Sequence, residues 1–258
     1  MKIGIINVSL GIETKASLRK SAELGADGVQ LWVAGGDLDP QNLTGTGRQD
    51  LLHFLKSINL EISALCGDLG KGYANPSVID WCIKRTKEII DLSVDLKAPI
   101  ITTHIGEISE DENSTGWKTM LSALTELGRY AETYGSCLAT ETGPEEPKLM
   151  TKFFRALNNK TIKVNYDPAN LVMSGFDHIA GVAELKDYIV HTHAKDGTRS
   201  AEGVPQEVAL GKGKVDFPRY IKTLKENGYD GYLTIERECG ENPARDIQEA
   251  ITFLRSII

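Results

Sequence analysis

The sequence predicts an α/β protein built as a single eight-stranded βα barrel of the TIM type, and three observations lead to this fold class. Short strand-like runs alternate with helical runs along the whole chain, with no block made only of helices or only of strands. Such alternation is typical of a parallel sheet. The strand-like runs number eight, and the length of 258 residues is close to the roughly 250 typical of such a barrel.

The predicted strands are short apolar or alternating runs bounded by turn residues. They cover Lys2–Asn7, Gly28–Trp32, Leu60–Cys66, Ile100–His104, Cys137–Glu141, Ile162–Asp167, Ile189–Ala194 and Gly231–Glu236. No GxGxxG motif follows the first strand, which argues against an open nucleotide-binding sheet. No linker or shift in composition divides the chain, so residues 1–258 are predicted to form one barrel domain.

Several helix ends are marked by residues that favour them. Asn75-Pro76 and Asn242-Pro243 each join an N-cap residue to a proline suited to the first helical position. The first pair predicts a helix that runs from Pro76 towards Lys97. Glycine accepts the left-handed conformation that commonly ends a helix, and it stands at three predicted ends: Gly25, Gly135 and Gly228.

Two long irregular segments follow predicted strand ends, Val33 to Gly47 and Gly197 to Lys214. In a barrel, this position places them at the mouth where substrates bind. The second segment contains Gly211-Lys-Gly213, whose spacing matches no phosphate-binding motif. The run Gly211-Lys-Gly213 is expected to be a flexible loop.

Composition excludes several functional classes. The formal net charge is −7 and no basic block is present, so a nucleic-acid partner is not expected. The chain opens on a strand-like run without a long apolar stretch, so neither a signal peptide nor a membrane span is expected, and the cytoplasm is the expected location. The four cysteines are far apart and form no CxxC pair, which argues against a disulfide framework or a structural zinc site.

The seventh predicted strand carries polar side chains where a core is expected. In Ile189–Asp196, strand alternation places His191, His193 and Lys195 on one face. Burying these polar groups without partners would cost on the order of several kcal/mol. Acidic partners are therefore expected from neighbouring strands.

Four consecutive predicted strands present Glu141, Asp167, His193 and Glu236 near their C-terminal ends. One such carboxylate means little, but three converging on a barrel mouth would repel by several kcal/mol at an effective dielectric of about 20. One divalent cation would neutralise them. Because three carboxylates and one imidazole make an oxygen-rich set, Mn²⁺ is the expected ion, with Mg²⁺, Co²⁺ or Zn²⁺ as alternatives.

Such an ion can hold the carbonyl and neighbouring hydroxyl of a sugar and stabilise an enediolate. Glu141 and Glu236 are the candidate acid and base, one on each side of the substrate. Purely structural roles are the alternatives for two inward-facing residues. Lys195 could form a salt bridge to Glu141 or Asp167, and His191 is expected in a supporting or core position. The candidate substrate-binding residues, several of which could instead serve only packing or local pairing, are His104, Lys195, Asn170, Arg199, Trp32 and Cys66.

With these residues identified, the sequence resembles the xylose-isomerase-like barrel superfamily of sugar isomerases and epimerases. The resemblance spans the whole chain. Its most specific segments are Glu141-Thr-Gly, Asn165-Tyr-Asp-Pro-Ala-Asn170, His191-Thr-His-Ala-Lys-Asp196, Leu210-Gly-Lys-Gly-Lys-Val-Asp-Phe217 and Gly228-Tyr-Asp-Gly-Tyr-Leu-Thr-Ile-Glu-Arg-Glu238. The resemblance implies a metal at Glu141, Asp167, His193 and Glu236, proton transfer by the two glutamates, and His104 and Lys195 near the substrate.

The sequence also departs from its apparent relatives. Ketose 3-epimerases tend to carry histidine where this chain has Asn170, and several relatives have an acidic residue where it has Gln30. Endonuclease IV enzymes need further histidines, one of them at the position of Cys66, so DNA repair is not expected.

The leading hypothesis is a metal-dependent isomerase or epimerase of a ketose or related keto-sugar. An inosose-dehydratase-like lyase and a metal-keeping sugar-binding protein without turnover are the alternatives. The expected partner is a small, unphosphorylated sugar. A homo-oligomer is also expected, because barrels of this kind often dimerise.

Overall fold

The computed structural model describes all 258 residues and confirms the closed barrel. The strands are β1 (Lys2–Ile6), β2 (Gly28–Trp32), β3 (Glu61–Cys66), β4 (Ile100–Thr103), β5 (Cys137–Glu141), β6 (Ile162–Tyr166), β7 (Ile189–Ala194), β8 (Asp196–Arg199), β9 (Pro205–Val208) and β10 (Tyr232–Ile235). Eight parallel strands close in the order β1-β10-β7-β6-β5-β4-β3-β2, and β8 and β9 form a separate two-stranded sheet.

Nine α-helices lie between and after the strands and bury one apolar face each against the barrel. In the last helix, for example, Ile247, Ala250, Ile251 and Leu254 are buried. No helix combines the length and the apolar composition needed to cross a bilayer. The helices are α1 (Thr14–Glu23), α2 (Gly45–Ser57), α3 (Ile79–Asp95), α4 (Thr115–Thr133), α5 (Pro147–Leu157), α6 (Pro168–Ser174), α7 (His178–Leu185), α8 (Phe217–Glu226) and α9 (Pro243–Arg255).

The predicted strands agree with the barrel strands to within one residue at either end. The three glycines at predicted helix ends all have positive φ, at 87°, 67° and 85° for Gly25, Gly135 and Gly228. Asn242 caps α9 as predicted, because its side chain accepts a hydrogen bond from the backbone N–H of Arg245 at 3.1 Å.

The predicted start of α3 at Pro76 is wrong, since the helix begins at Ile79. The Asn75 side chain accepts hydrogen bonds from the backbone N–H and the hydroxyl of Ser77, at 3.0 and 2.8 Å. Asparagine therefore stabilises a turn that precedes the helix instead of capping the helix itself.

The segment Gly197 to Lys214, predicted to be irregular, contains the antiparallel hairpin β8–β9. The buried Asp196 carboxylate fixes the base of this hairpin, because it accepts hydrogen bonds from four backbone N–H groups at 2.8 to 3.1 Å. A Cβ atom at Gly213, one of these donors, would lie 2.1 Å from Asp196 Oδ1. The Gly-Lys-Gly spacing thus serves the close approach of the chain to a carboxylate.

Because the eight barrel strands are parallel, their C-terminal ends share one mouth. Glu141 is the last residue of β5, and Asp167 and Glu236 lie one residue beyond β6 and β10. The mouth therefore gathers polar side chains from strands that are neighbours in the barrel.

Candidate metal centre

Four side chains at the mouth converge: Glu141, Asp167, His193 and Glu236. One ligand atom of each lies within 4.8 Å of the corresponding atoms of the other three. Glu141, Asp167 and His193 are buried, and the Glu236 side chain is 11% exposed. The arrangement brings together the four residues that the sequence predicted as metal ligands. One imidazole nitrogen and three carboxylate groups surround a common point.

Two buried polar atoms of this cluster lack hydrogen-bond partners, Nδ1 of His193 and Oδ2 of Asp167. The Nδ1 atom lies 3.3 Å from Glu236 Oε2, 3.5 Å from Glu141 Oε2 and 3.8 Å from Asp167 Oδ2. Buried polar atoms are rarely left unpaired in native proteins. A cation coordinated by these atoms would satisfy both, so the residues present fit a divalent metal ion.

The charges in the cluster shift one another's protonation. Burial disfavours ionised Glu141, but His193 and His104 outweigh it and hold the pKa of this carboxyl well below its usual value. Burial would also lower the pKa of His193, yet Glu236 and Glu141 raise it well above its usual value. Burial raises the pKa of Asp167. Asp167 is therefore the carboxylate whose negative charge the protein's own groups stabilise least.

A layer of neutral polar side chains lies against the cluster inside the barrel. Asn165 donates its amide to Glu141 Oε2 at 3.1 Å. Nε2 of His191 and Nε2 of His193 lie 3.1 and 3.0 Å from the amide oxygen of Gln30. Burial lowers the pKa of His191 to about 3. His191 is thus a neutral supporting residue, as the sequence predicted, whereas the parts played by Asn165 and Gln30 were missed.

His104 stands at the rim with half of its side chain exposed. Its Nδ1 atom lies 2.9 Å from Asp68 Oδ2, and its Nε2 atom lies 3.5 Å from Glu141 Oε1. The charge of Glu141 and the hydrogen bond to Asp68 raise the pKa of His104 to about 11. Asp68 was not among the predicted residues, because it lies in the loop beyond β3.

Lys195 points inward, as strand alternation predicted, and binds acidic groups. Its Nζ atom donates to Glu236 at 3.0 Å and to Glu238 at 2.7 Å, and it lies 4.0 Å from Asp167. The salt bridge considered from the sequence therefore forms mainly with Glu236 and Glu238 and not with Glu141. The surrounding carboxylates outweigh burial and raise the pKa of Lys195.

Asn170 reaches the cluster from α6. Its amide donates to Glu141 Oε1 at 2.9 Å and to the carbonyl of Thr142 at 3.1 Å. The side chain of Asp167 accepts from the backbone N–H groups of Ala169 and Asn170 and so starts this helix. This short helix brings Asn170, a predicted substrate-binding residue, to the cluster.

The other three predicted substrate-binding residues make no polar contact with the four clustered side chains. Arg199 is exposed on β8 and donates to the carbonyl of Met173 at 2.5 Å. Trp32 is half-buried at the end of β2, where its ring packs against Gly35. Cys66 is half-buried at the end of β3, and burial raises the pKa of its thiol to about 11. Their contact with a substrate stays a prediction.

The fold and the site define a parallel βα barrel with a carboxylate and histidine cluster of metal-binding type at its mouth. A family model described as xylose isomerase-like TIM barrel matches residues 18–257, and the chain belongs to this family. The resemblance seen in the sequence is thereby confirmed.

Curated relatives of the chain include enzymes of two reaction classes. An inosose dehydratase of Clostridium perfringens is 27% identical over 161 residues, which cover 54% of this chain and 53% of that protein. An L-ribulose-5-phosphate 3-epimerase of Salmonella typhi is 36% identical over 105 residues, which cover 39% of this chain and 35% of that protein. The chain thus spans about half or less of either protein.

A solved structure of the IOLI protein, crystallised with a bound zinc atom, superposes with a TM-score of 0.83. The two chains are 18% identical, and the match covers 100% of this chain and 98% of the other. At this identity, the likeness shows the shared fold.

Proposed function

We propose that this protein is a divalent-metal-dependent isomerase or epimerase of a ketose or related keto-sugar. The convergence of Glu141, Asp167, His193 and Glu236 within 4.8 Å, with two of their buried atoms unpaired, carries the proposal. A divalent ion held by these side chains would polarise the substrate carbonyl and favour an enediolate. Mn²⁺ suits the oxygen-rich set, and the zinc atom of the structural neighbour supports a divalent ion in general.

The two glutamates are suited to proton transfer because their surroundings differ. Glu141 accepts amide hydrogens from Asn165 and Asn170 on its two oxygens, which orient it, and His193 and His104 hold it ionised. Glu236 Oε2 is bound by Lys195, whereas its Oε1 atom has no hydrogen-bond or ion-pair partner. One glutamate would remove the proton next to the carbonyl and the other would return a proton to the opposite face.

The rim favours an unphosphorylated substrate. A phosphate group is usually bound by cationic side chains or by backbone N–H groups. Here Lys195 is held between Glu236 and Glu238, and His104 between Asp68 and Glu141. Both cations are committed to carboxylates, which leaves neither free to neutralise a phosphate group.

The experiment is hydrogen exchange in D₂O. The Mn²⁺-loaded protein is incubated with free ketoses, their phosphates and keto-inositols, and deuterium on the substrate carbon is followed by proton NMR. We expect exchange and an epimeric or isomeric product with a free sugar. Glu141→Gln should abolish exchange, whereas Glu226→Gln on the exposed face of α8 should not. Absence of carbon-bound exchange across the whole panel would refute the proposed function.

The inosose dehydratase relatives favour a second candidate, a lyase that removes water from an inosose. It uses the same initial proton removal but expels the neighbouring hydroxyl. A new ultraviolet absorbance from a conjugated or 1,2-dicarbonyl product, without an epimer, would identify it.

A sugar-binding protein without turnover is the remaining alternative. Such a protein would bind a sugar in calorimetry, and Glu141→Gln would leave no activity to lose. The expected cytoplasmic location, the single domain and the homo-oligomeric state stay predictions.

A further inference from the structure

Gln30 is a fully buried amide in the interior of the barrel, on β2 and across the barrel from β7. Its Oε1 atom lies 3.1 Å from Nε2 of His191 and 3.0 Å from Nε2 of His193. Its Nε2 atom donates to the hydroxyl of Thr102 at 2.9 Å. The side chain thus joins β2, β4 and β7 directly beneath the four clustered residues.

The hydroxyl of Thr102 determines which end of the Gln30 amide faces the histidines. This hydroxyl donates to the carbonyl of Leu65 at 3.4 Å and therefore accepts from Gln30 Nε2. The amide oxygen of Gln30 is then left to accept from the two imidazoles. Each histidine has to carry its proton on Nε2 to make that hydrogen bond.

We infer that Gln30 is a positioning residue that fixes a proton on Nε2 of His193 and so presents the free electron pair of Nδ1 to the cation site. This inference presupposes the metal centre of the proposed function. A metal-binding histidine usually donates its second ring N–H to a fixed acceptor, which orients the ring and sets its tautomer. Here the acceptor is a neutral amide that also binds a second histidine.

One contact opposes this assignment and makes it testable. Asn165 Nδ2 lies 3.2 Å from Nε2 of His193 and could donate to it, which would move the proton of a neutral imidazole to Nδ1. That arrangement would close the cation site with an N–H group. However, Gln30 Oε1 lies closer to Nε2 of His193, at 3.0 Å, and no carboxylate oxygen forms a hydrogen bond with His193 Nδ1.

The test compares Gln30→Met, which removes the acceptor at similar volume, with Gln30→Glu, which keeps it. Calorimetric titration with Mn²⁺ should show binding at least about 10-fold weaker in Gln30→Met, the range found when such a partner is lost. Binding in Gln30→Glu should be no weaker than in the wild type. Ser63→Ala removes another buried polar group of the barrel, one that contacts Thr234 at 3.5 Å, and should leave Mn²⁺ binding unchanged.

The second readout is nitrogen NMR of protein labelled with ¹⁵N-histidine and loaded with Zn²⁺. In the wild type and in Gln30→Glu, His193 should show a metal-bound Nδ1 and a protonated Nε2. Gln30→Met should lose this single pattern. If Gln30→Met fails to fold, Thr102→Val takes its place, because it frees the Gln30 amide to turn and should weaken Mn²⁺ binding at least threefold.

Two results would overturn the inference: a protonated Nδ1 with an unprotonated Nε2 in loaded wild-type protein, or unchanged binding and spectrum in Gln30→Met. Failure of the proposed function gives a different result, since the wild type would then bind no divalent ion. In that case, hydrogen exchange of His193 in the metal-free protein tests the inference. A slowly exchanging His193 Nε2–H that exchanges rapidly in Gln30→Met would support it, and equal exchange in both proteins would refute it.

Discussion

Glu145, in the loop between β5 and α5, is a buried acid whose ionisation should destabilise the fold. The residue is 8% exposed, and its Oε2 atom has no hydrogen-bond partner. Burial, with a smaller effect from the charge of Glu107, raises its pKa from 4.5 to about 7. An acid with a raised pKa binds its proton more tightly in the folded state. Stability is therefore lost as the pH rises from about 4.5 through about 7.

The magnitude follows from the difference between these two pKa values. At about 1.36 kcal/mol per pH unit, the ionised side chain destabilises the fold by about 3 kcal/mol at pH 8.5 and by less than about 1 kcal/mol at pH 5. Glu145→Gln keeps the shape without the charge. It should therefore raise the free energy of unfolding by about 3 kcal/mol at pH 8.5 and have little effect at pH 5.

Urea unfolding followed by circular dichroism at the two pH values measures this effect. Glu146→Gln is the matched control, because its side chain is exposed next to Glu145 and its ion pair with Lys148 is long, at 3.7 Å. That change should alter stability by less than about 1 kcal/mol at either pH. The reasoning would be refuted if Glu145→Gln did not increase stability at pH 8.5, or if it increased stability equally at both pH values.

Three further predictions concern the mouth. Mn²⁺ at 100 times its Kd should stabilise the wild-type protein by about 2.7 kcal/mol in urea unfolding, and Glu236→Gln should remove most of that gain; an equal gain in the variant would exclude Glu236 as a ligand. Lys195→Met removes a positive charge 3.0 Å from Glu236, so calorimetry should show Mn²⁺ binding that is tighter by on the order of 10-fold; weaker binding would contradict the charge argument. Asp196→Asn should lower the free energy of unfolding by about 2 kcal/mol and speed amide hydrogen exchange across residues 197–208. Glu202→Gln at the hairpin tip should change neither the stability nor the exchange.

The sequence predicted the barrel well because each strand is a short run with clear boundaries. Strand alternation was enough to place His191, His193 and Lys195 on the inner face, and the parallel arrangement placed the strand ends together. Both inferences depend only on the local period of two and on the direction of the strands. They needed no knowledge of side-chain conformation.

The residues that support the cluster were harder to predict. Gln30 lies within an otherwise apolar strand and Asn165 two residues after Lys163, and a lone buried amide is the only signal either gives. Asp68 lies in a loop two residues beyond β3, so its contact with His104 depends on a loop conformation that strand patterns do not determine. Asp196 was visible in the sequence, but its four backbone donors come from residues up to 19 positions away.

The distribution of partners within the cluster indicates what an ion would contribute. Two carboxylate oxygens of the cluster, which lie within 4.8 Å of each other, repel by at least about 3 kcal/mol at an effective dielectric of about 20. The protein offsets this at Glu141 with two amides and at Glu236 with Lys195. The atoms left over are Oδ2 of Asp167 and Nδ1 of His193. Because the unpaired atoms of the cluster are limited to these two, the chain should fold without the ion, unlike small domains that depend on a structural metal. Metal affinity is therefore a property of the mouth that single substitutions can change while the barrel persists.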